Sequence, residues 1–169
     1  GIYDVKIFQN TLVERYVSYT FLNSTQVENK DERDMSFLLP SEMVQSDSPE
    51  IIALAKEITK NAANDVEIVV ALNNYVAKNV QYDFPSYYDG SYAKRPFDAL
   101  TVLKRPMAVC AGYSNFFAAL ARAAGIKTKV INGKGVINGG LENHAWNEVL
   151  LDGEWKSLDV TWNSTLKTN

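Results

Sequence analysis

Apolar residues recur at helical spacing in the middle of the chain and in strand-like runs near its end. The stretch that begins with Ser48-Pro49-Glu50 carries apolar side chains three or four residues apart, and a second such stretch follows Asp65. Serine and aspartate are common helix caps and proline fits the first helical turn, so we predict two successive amphipathic helices. A short helix is predicted at 98–104, and an alanine-rich helix at 111–124, which Gly125 would end.

After Gly125 the pattern becomes that of strands. Segments 127–136 and 144–151 are predicted as two of them, Asp152-Gly153 is a strong hairpin turn, and 154–162 forms the third. Helices followed by an antiparallel sheet predict an α+β domain.

The beginning of the chain differs from the rest. Residues 16–21 are β-branched and aromatic, which predicts a strand, and the polar run 23–34 is predicted to be a loop. We therefore expect a strand-rich N-terminal extension at 1–45 and the main domain at 46–169. Within that domain, the tyrosine- and proline-containing segment 83–96 is predicted to be a long loop, and loops of this length often form the rim of a site.

Composition and charge are those of an ordinary soluble globular protein. Hydrophobic residues make up 46% and charged residues 22% of the chain, and the net charge is −3. Scattered basic residues give no reason to expect nucleic-acid binding, and no apolar run reaches the roughly 18 residues of a membrane span. The chain begins with glycine rather than methionine, which suggests a trimmed or processed fragment and leaves room for a removed signal peptide.

The chain has one cysteine and one histidine, and both stand where thiol catalysis would need them. Cys110 is predicted at a helix N-terminus, whose positive charge and free N–H groups favour a thiolate and can bind an oxyanion. The two-residue turn would pair Trp146 with Asp159 and place His144 as a diagonal neighbour of Asp159 on the same sheet face.

An aspartate that orients a histidine, which in turn activates a cysteine, is a nucleophilic triad. Taken alone, Cys110 fits a buried inert residue better, and His144 near Asp159 fits coincidence equally well. The three together favour Cys110 as nucleophile, His144 as base and Asp159 as the orienting residue. A single cysteine cannot build a cysteine-rich zinc site, and no metal ligands are proposed.

Three ordered segments resemble the transglutaminase-like superfamily. Segment 108–117 (Ala-Val-Cys-Ala-Gly-Tyr-Ser-Asn-Phe-Phe) resembles its nucleophile helix, 143–149 (Asn-His-Ala-Trp-Asn-Glu-Val) its His-Ala-Trp strand, and 153–162 its final Asp strand. Residues 80–83 also fit, so the resemblance covers roughly residues 48–162. It implies a papain-like α+β fold, in which the helix that carries the cysteine packs against the sheet that bears the histidine and the aspartate.

The resemblance also implies acyl transfer. The Cys110 thiolate would attack a carboxamide, His144 would pass the proton to the leaving amine, and a thioester would form. Water resolves the thioester in a protease or amidase acting on protein or cell-wall peptide, which is our first hypothesis. A lysine-type amine resolves it in a transglutaminase, the second hypothesis. The third is a non-catalytic binding or scaffold module, because several relatives have lost the triad, although all three residues are present here.

Aromatic residues supply the other predicted site positions. Tyr82, at the end of the second predicted helix, is the candidate second oxyanion donor, with simple packing of that helix end as an equal alternative. Trp146 is predicted to pack beside the imidazole and to shield it from water, or to serve only the core. Three loop tyrosines are predicted to line the substrate groove or merely to pin the loop: Tyr87, Tyr88 and Tyr92. The glycine-rich stretch 133–140 lacks P-loop spacing and is interpreted as a flexible strand connection.

Many bacterial members of the superfamily are secreted or surface-attached. The resemblance therefore implies a bacterial protein at the cell surface or outside the cell, and a cytoplasmic location is left open. Scarcity of cysteine agrees with this location but does not decide it. We expect a monomer with a protein or peptide substrate, no cofactor, no nucleic-acid partner and no membrane insertion.

Overall fold

A computed structural model describes residues 2–13, 16–28, 34–137 and 139–165, without the side chains of 10–13, 16–18, 137 and 165. Its contacts divide the chain into two units, Gly1–Asp34 and Met35–Asn169. The predicted boundary lay after residue 45. Residues 35–45 instead belong to the second unit, because hydrogen bonds such as Ala99 N–H to the Met43 carbonyl (3.0 Å) tie them to it.

The first unit is an antiparallel hairpin of strands β1 (Ile2–Val13) and β2 (Tyr16–Glu28). The strand predicted at 16–21 is confirmed. The loop predicted from residue 23 onward is wrong over 23–28, because every one of these residues pairs with a residue of β1. Residues 29–33 of that predicted loop lie outside the described residues, and Asp34 has no regular secondary structure, as predicted.

The helices described in the second unit are α1 (Pro49–Thr59), α2 (Asp65–Asn79), α3 (Phe84–Tyr88), α4 (Ala99–Lys104), α5 (Cys110–Ala123) and α6 (Val160–Thr165), with a 3-10 helix at Ser91–Lys94. Asn64, not Asp65, caps α2, and Ser48 makes no side-chain capping bond at α1. The predicted loop 83–96 contains α3 because Asp83 caps it. None of the described helices is long and apolar enough to cross a bilayer.

The main sheet of the second unit is antiparallel, in the order β5 (Thr128–Ile137), β6 (Gly140–Leu151) and β7 (Glu154–Leu158). A short parallel pair joins β3 (Gln81–Tyr82) to β4 (Met107–Ala108). Leu151 faces Glu154 across the turn, as predicted. With helices grouped around this sheet, the predicted α+β class is confirmed.

The third strand is shorter than predicted. It ends at Leu158, and the chain turns directly into α6, because the Asp159 carboxylate accepts the backbone N–H of Trp162 (3.1 Å) and caps that helix. The predicted strand pair of Trp146 with Asp159 therefore does not form.

Helix α5 is the centre of the core. Every residue from Gly112 to Ala121 is buried, and the helix packs against β5 and β6 as well as α1, α2 and α4. The fully buried Asn147 on β6 donates hydrogen bonds from its amide to the carbonyl oxygens of Ser114 and Lys129, both at 3.1 Å. These bonds fix the helix that begins with Cys110 relative to the strand that carries His144.

Candidate active site

Cys110 is the first residue of α5 and is half-buried. Strand β4 leads to it, and the backbone N–H of Asp83 fixes that strand by donating to the Ala108 carbonyl (3.0 Å). Burial raises the pKa of the Cys110 thiol, while hydrogen bonds from the backbone of Ala145 and Ala111 act in the opposite direction. The predicted preference of the helix end for a thiolate is thus outweighed, and a thiolate here needs a base to take the proton.

His144 and Asp159 are in direct contact. Nε2 of the buried imidazole lies 2.6 Å from Oδ2 of Asp159, while Oδ1 of the same carboxylate accepts the Trp162 N–H. Asp159 is held at both oxygens, by the helix cap rather than by the strand register that was predicted. Because a carboxylate only accepts hydrogen bonds, Nε2 carries the proton and Nδ1 is the nitrogen left to face a thiol.

Cys110 and His144 open into the same cavity, of about 550 Å³. This cavity, called the groove from here on, is also lined by Tyr87, Tyr92, Phe97, Asn132, Lys134 and Asn143. A substrate in this groove therefore meets both predicted reactive groups. Within the described ranges, no three His, Cys, Asp or Glu side chains are grouped closely enough to hold a metal ion.

Two tryptophans lie nearly parallel to the imidazole. The Trp146 ring is tilted by 22° with its centroid 6.2 Å from that of His144, and the Trp162 ring by 14° at 5.1 Å. Trp146 thus lies beside the imidazole. Trp162 was missed, because it was assigned to the third strand. The signal that could have found it is Asp159 itself, a common helix cap three residues earlier.

Gly133 and Gly135 lie inside β5, so their interpretation as part of a flexible connection was wrong. A Cβ at Gly133 would lie 2.6 Å from Cη2 of Trp146, and one at Gly135 would lie 3.2 Å from Cβ of His144. The two glycines leave room for aromatic side chains that cross from the neighbouring strand.

Tyr82 lies in β3, opposite Ala108, rather than at the end of a helix, and it stands behind the residues that line the groove rather than among them. Its ring is in contact with Phe84, Tyr87 and Tyr113. Burial, followed by the negative charge of a Cys110 thiolate, raises the pKa of Tyr82. The group therefore remains a neutral hydroxyl, able to donate a hydrogen bond, throughout the neutral range.

The loop tyrosines have different positions. Tyr87 lines the groove and donates a hydrogen bond from its hydroxyl to Glu142 on β6; this bond raises the pKa of Tyr87 to about 12. Tyr92 also lines the groove. Tyr88 is 78% exposed and lies outside the groove, so the structure does not bring this predicted groove residue to the site.

The model of the transglutaminase-like superfamily matches residues 52–160 of the chain. Among curated proteins, the kyphoscoliosis peptidases of Homo sapiens and Mus musculus are each 27% identical to it over 121 residues. The matched part is 67% of this chain but only 18% of the length of those relatives.

Several solved structures share the fold. A candidate cysteine protease from Cytophaga hutchinsonii has a TM-score of 0.66 at 20% identity, covering 95% of this chain and 64% of that one. The periplasmic domain of TgpA from Pseudomonas aeruginosa has a TM-score of 0.56 at 24% identity, covering 77% and 47%. A TGase structure has a TM-score of 0.51 at 26% identity, covering 66% and 30%. The predicted papain-like, transglutaminase-core architecture is confirmed.

Proposed function

The chain belongs to the transglutaminase-like superfamily, and we propose that it catalyses thiol-dependent acyl transfer at amide bonds through Cys110, His144 and Asp159. The observation that carries this proposal is the 2.6 Å contact between His144 Nε2 and Asp159 Oδ2, made by an imidazole that shares a cavity with Cys110. Asp159 holds the proton on Nε2 and so leaves Nδ1 free to act as the base.

The proposed reaction begins with proton transfer from Cys110 to His144. This step is necessary because burial raises the pKa of the thiol. The thiolate attacks the amide carbon, the imidazolium protonates the leaving amine, and a thioester remains. The free N–H groups at the start of α5 and the Tyr82 hydroxyl would bind the oxyanion that forms during the attack.

Hydrolysis of protein or cell-wall peptide amides is the outcome we favour. The curated relatives are named peptidases, and a protein of the same fold is described as a candidate cysteine protease. Transglutaminase activity is the second candidate, supported by the 26% identity to a TGase. Both pathways share the thioester, so covalent incorporation of a fluorescent primary amine into a glutamine peptide would distinguish transamidation from release of the acid in water.

We expect iodoacetamide to alkylate Cys110 well below the ordinary thiol pKa of about 8.5, and we expect His144→Ala to remove this reactivity. Without His144, no base is left to take the proton from a thiol whose pKa burial raises in the wild type. Labelling of the variant should therefore accelerate only in the alkaline range. The measurement is the second-order labelling rate of each protein from about pH 5 to pH 10, a range that spans the ordinary His and Cys pKa values.

The assay is unambiguous because Cys110 is the only cysteine. Urea unfolding of the variant shows whether the substitution leaves the fold intact. Identical pH profiles in the two folded proteins, each with a midpoint at or above the ordinary thiol pKa, would refute the triad and leave the non-catalytic binding or scaffold module as the function of this domain.

Tyr82→Phe should lower turnover of an amide substrate by about 10²–10³-fold, the usual cost of one oxyanion donor. The iodoacetamide rate should not change, because alkylation forms no oxyanion. The ring contacts with Phe84, Tyr87 and Tyr113 remain possible, so the free energy of unfolding should also be preserved. Tyr88→Phe, at an exposed position outside the groove, is the matched control. Unchanged turnover in Tyr82→Phe would make Tyr82 a packing residue only.

We further propose that the domain works at the cell surface or outside the cell, in line with its expected peptide substrates. One protein of the same fold is a periplasmic domain. Fractionation of the native host, with antibody detection of the chain, tests this location.

A further inference from the structure

A second cavity, of about 460 Å³, continues from the groove that contains Cys110. The two cavities share the lining residues Phe97, Ala111 and Asn132. The second cavity thus begins beside the residue that follows Cys110. A substrate held at the thiol is therefore within reach of both spaces.

One wall of the second cavity is the segment 35–45, which precedes the residues matched by the family model. Hydrogen bonds from the body of the domain fix the segment along its length. The carbonyl oxygens of Phe37, Leu39 and Met43 accept bonds at 3.0, 2.8 and 3.0 Å from Thr128, Arg122 and Ala99, respectively. The segment is therefore an integral part of the domain.

Phe37 shows that this wall is held in place at a conformational cost. Its φ of 62° lies in the left-handed region, which bulky residues rarely adopt. The hydrogen bond from Thr128 and an edge-to-face contact with Trp155, at 5.3 Å between ring centroids, keep it there. Strained backbone of this kind concentrates where a ligand is contacted, and Phe37 lines the second cavity.

The charged side chains of the second cavity already have partners. The Arg122 guanidinium donates to the carbonyl oxygens of Leu39 and Thr128. Lys129 pairs with Glu148 at 3.0 Å, and its Nζ lies 3.7 Å from the centroid of the Trp155 ring. The other lining residues are mostly apolar: Phe37, Met43, Val44, Phe97, Ala111, Val130 and Ile131, together with the polar Ser41, Asn115 and Asn132. Such a lining binds apolar groups by removing their surface from water.

We infer that the second cavity is a subsite for a large apolar side chain of the substrate, carried by a residue close to the amide that Cys110 attacks. The inference rests on the proposed function and names the class of peptide on which it acts. It makes the segment 35–45 a specificity element of the site.

The test uses epoxysuccinyl peptides, which alkylate a catalytic cysteine and can be extended from either end to cover both sides of the amide. Leu, Phe, Asp, Lys or Gly is placed at successive positions, and the second-order inactivation rate is measured. A large apolar residue at one position should raise the rate by about tenfold or more over Gly. Met43→Glu should remove this gain, because it places a carboxylate in the lining. Leu39→Glu is the matched control: Leu39 is exposed in the same segment but outside the cavity.

Iodoacetamide is too small to span both cavities, so the inactivation rate of each protein is divided by the iodoacetamide rate of the same protein, which corrects for any change in the thiol itself; Leu39→Glu, outside the cavity, should keep the wild-type iodoacetamide rate. If that rate reveals no activated thiol in the wild type, the proposed function fails and the inference fails with it. If the thiol is activated, the inference alone is overturned by any of three results: no apolar gain at any position, a gain that Met43→Glu retains, or a preference for acidic residues.

Discussion

Asp159→Asn should lower turnover by about 10⁴-fold while leaving the protein folded. The reason lies in the second bond that this side chain makes. Oδ1 of Asp159 accepts the Trp162 N–H at the start of α6, and an asparagine can keep that bond only with its carbonyl oxygen. Its NH₂ group is then directed at His144 Nε2. A donor at that position favours the tautomer with the proton on Nδ1, the nitrogen that must receive the proton of Cys110.

Comparison of Asp159→Asn with Asp159→Ala separates the two roles of the carboxylate. Asp159→Ala removes the orienting partner of His144 and also the cap of α6, and a lost cap costs about 1 kcal/mol of stability. Asparagine is a good cap, so Asp159→Asn should retain nearly the wild-type free energy of unfolding. Turnover and urea unfolding are measured for both variants. Near-wild-type turnover in Asp159→Asn would mean that the amide rotates to offer its oxygen to the imidazole and that the cap does not fix the side chain.

The reactive groups of the proposed site could be predicted because each depends on local sequence. Cys110 immediately precedes a segment that is rich in alanine and aromatic residues, and this composition predicts a buried helix. The Asp152-Gly153 turn sets the register of β6 and β7, which brings the ends of the two strands together. Asp159 directly follows the end of β7, and His144 lies on β6 three residues before Asn147, the last residue paired with β7, so their proximity follows even though the details of the pairing were wrong.

The end of the third strand could not be predicted from its own pattern. Residues 154–162 contain tryptophan, valine and threonine, which favour a strand. The strand nevertheless stops at Leu158, because the Asp159 carboxylate is placed where it can both cap a helix and bond to His144. The position at which the strand ends therefore depends on His144, 15 positions earlier in the sequence. The helix that begins there places the Trp162 ring against the imidazole.

The wall formed by residues 35–45 was missed for a similar reason. The segment has no helical or strand period, and its hydrogen bonds go to partners as distant as Arg122, 83 positions away. Gly133 and Gly135 likewise have their explanation in side chains of another strand. Local periodicity contains no information about such distant neighbours, so the roles of the segment 35–45 and of the two glycines become visible only in the tertiary structure.

Gly112→Ala should destabilise the domain, although alanine is the better helix former. Gly112 lies in the first turn of α5, where propensity alone would give a gain of at most the roughly 1 kcal/mol of a helix interior. A Cβ at this position would, however, lie 2.5 Å from Cβ of Ala108 and 3.1 Å from Cγ2 of Val102. A backbone-attached Cβ cannot turn aside, and Gly112 is itself buried. Overpacking costs about 1–3 kcal/mol, and a contact this short belongs at the upper end, so we expect a net loss of about 1–2 kcal/mol.

The double variant Gly112→Ala/Ala108→Gly tests the cause. It removes the clashing atom, so most of the stability lost in Gly112→Ala should return, beyond what the single Ala108→Gly change predicts by addition. Urea unfolding of all four proteins gives this coupling energy. Additive effects would mean that the two residues do not press on each other. A strong coupling would mean that glycine is needed at position 112 because α5 must approach β4 closely, and β4 is the strand that brings the chain to Cys110.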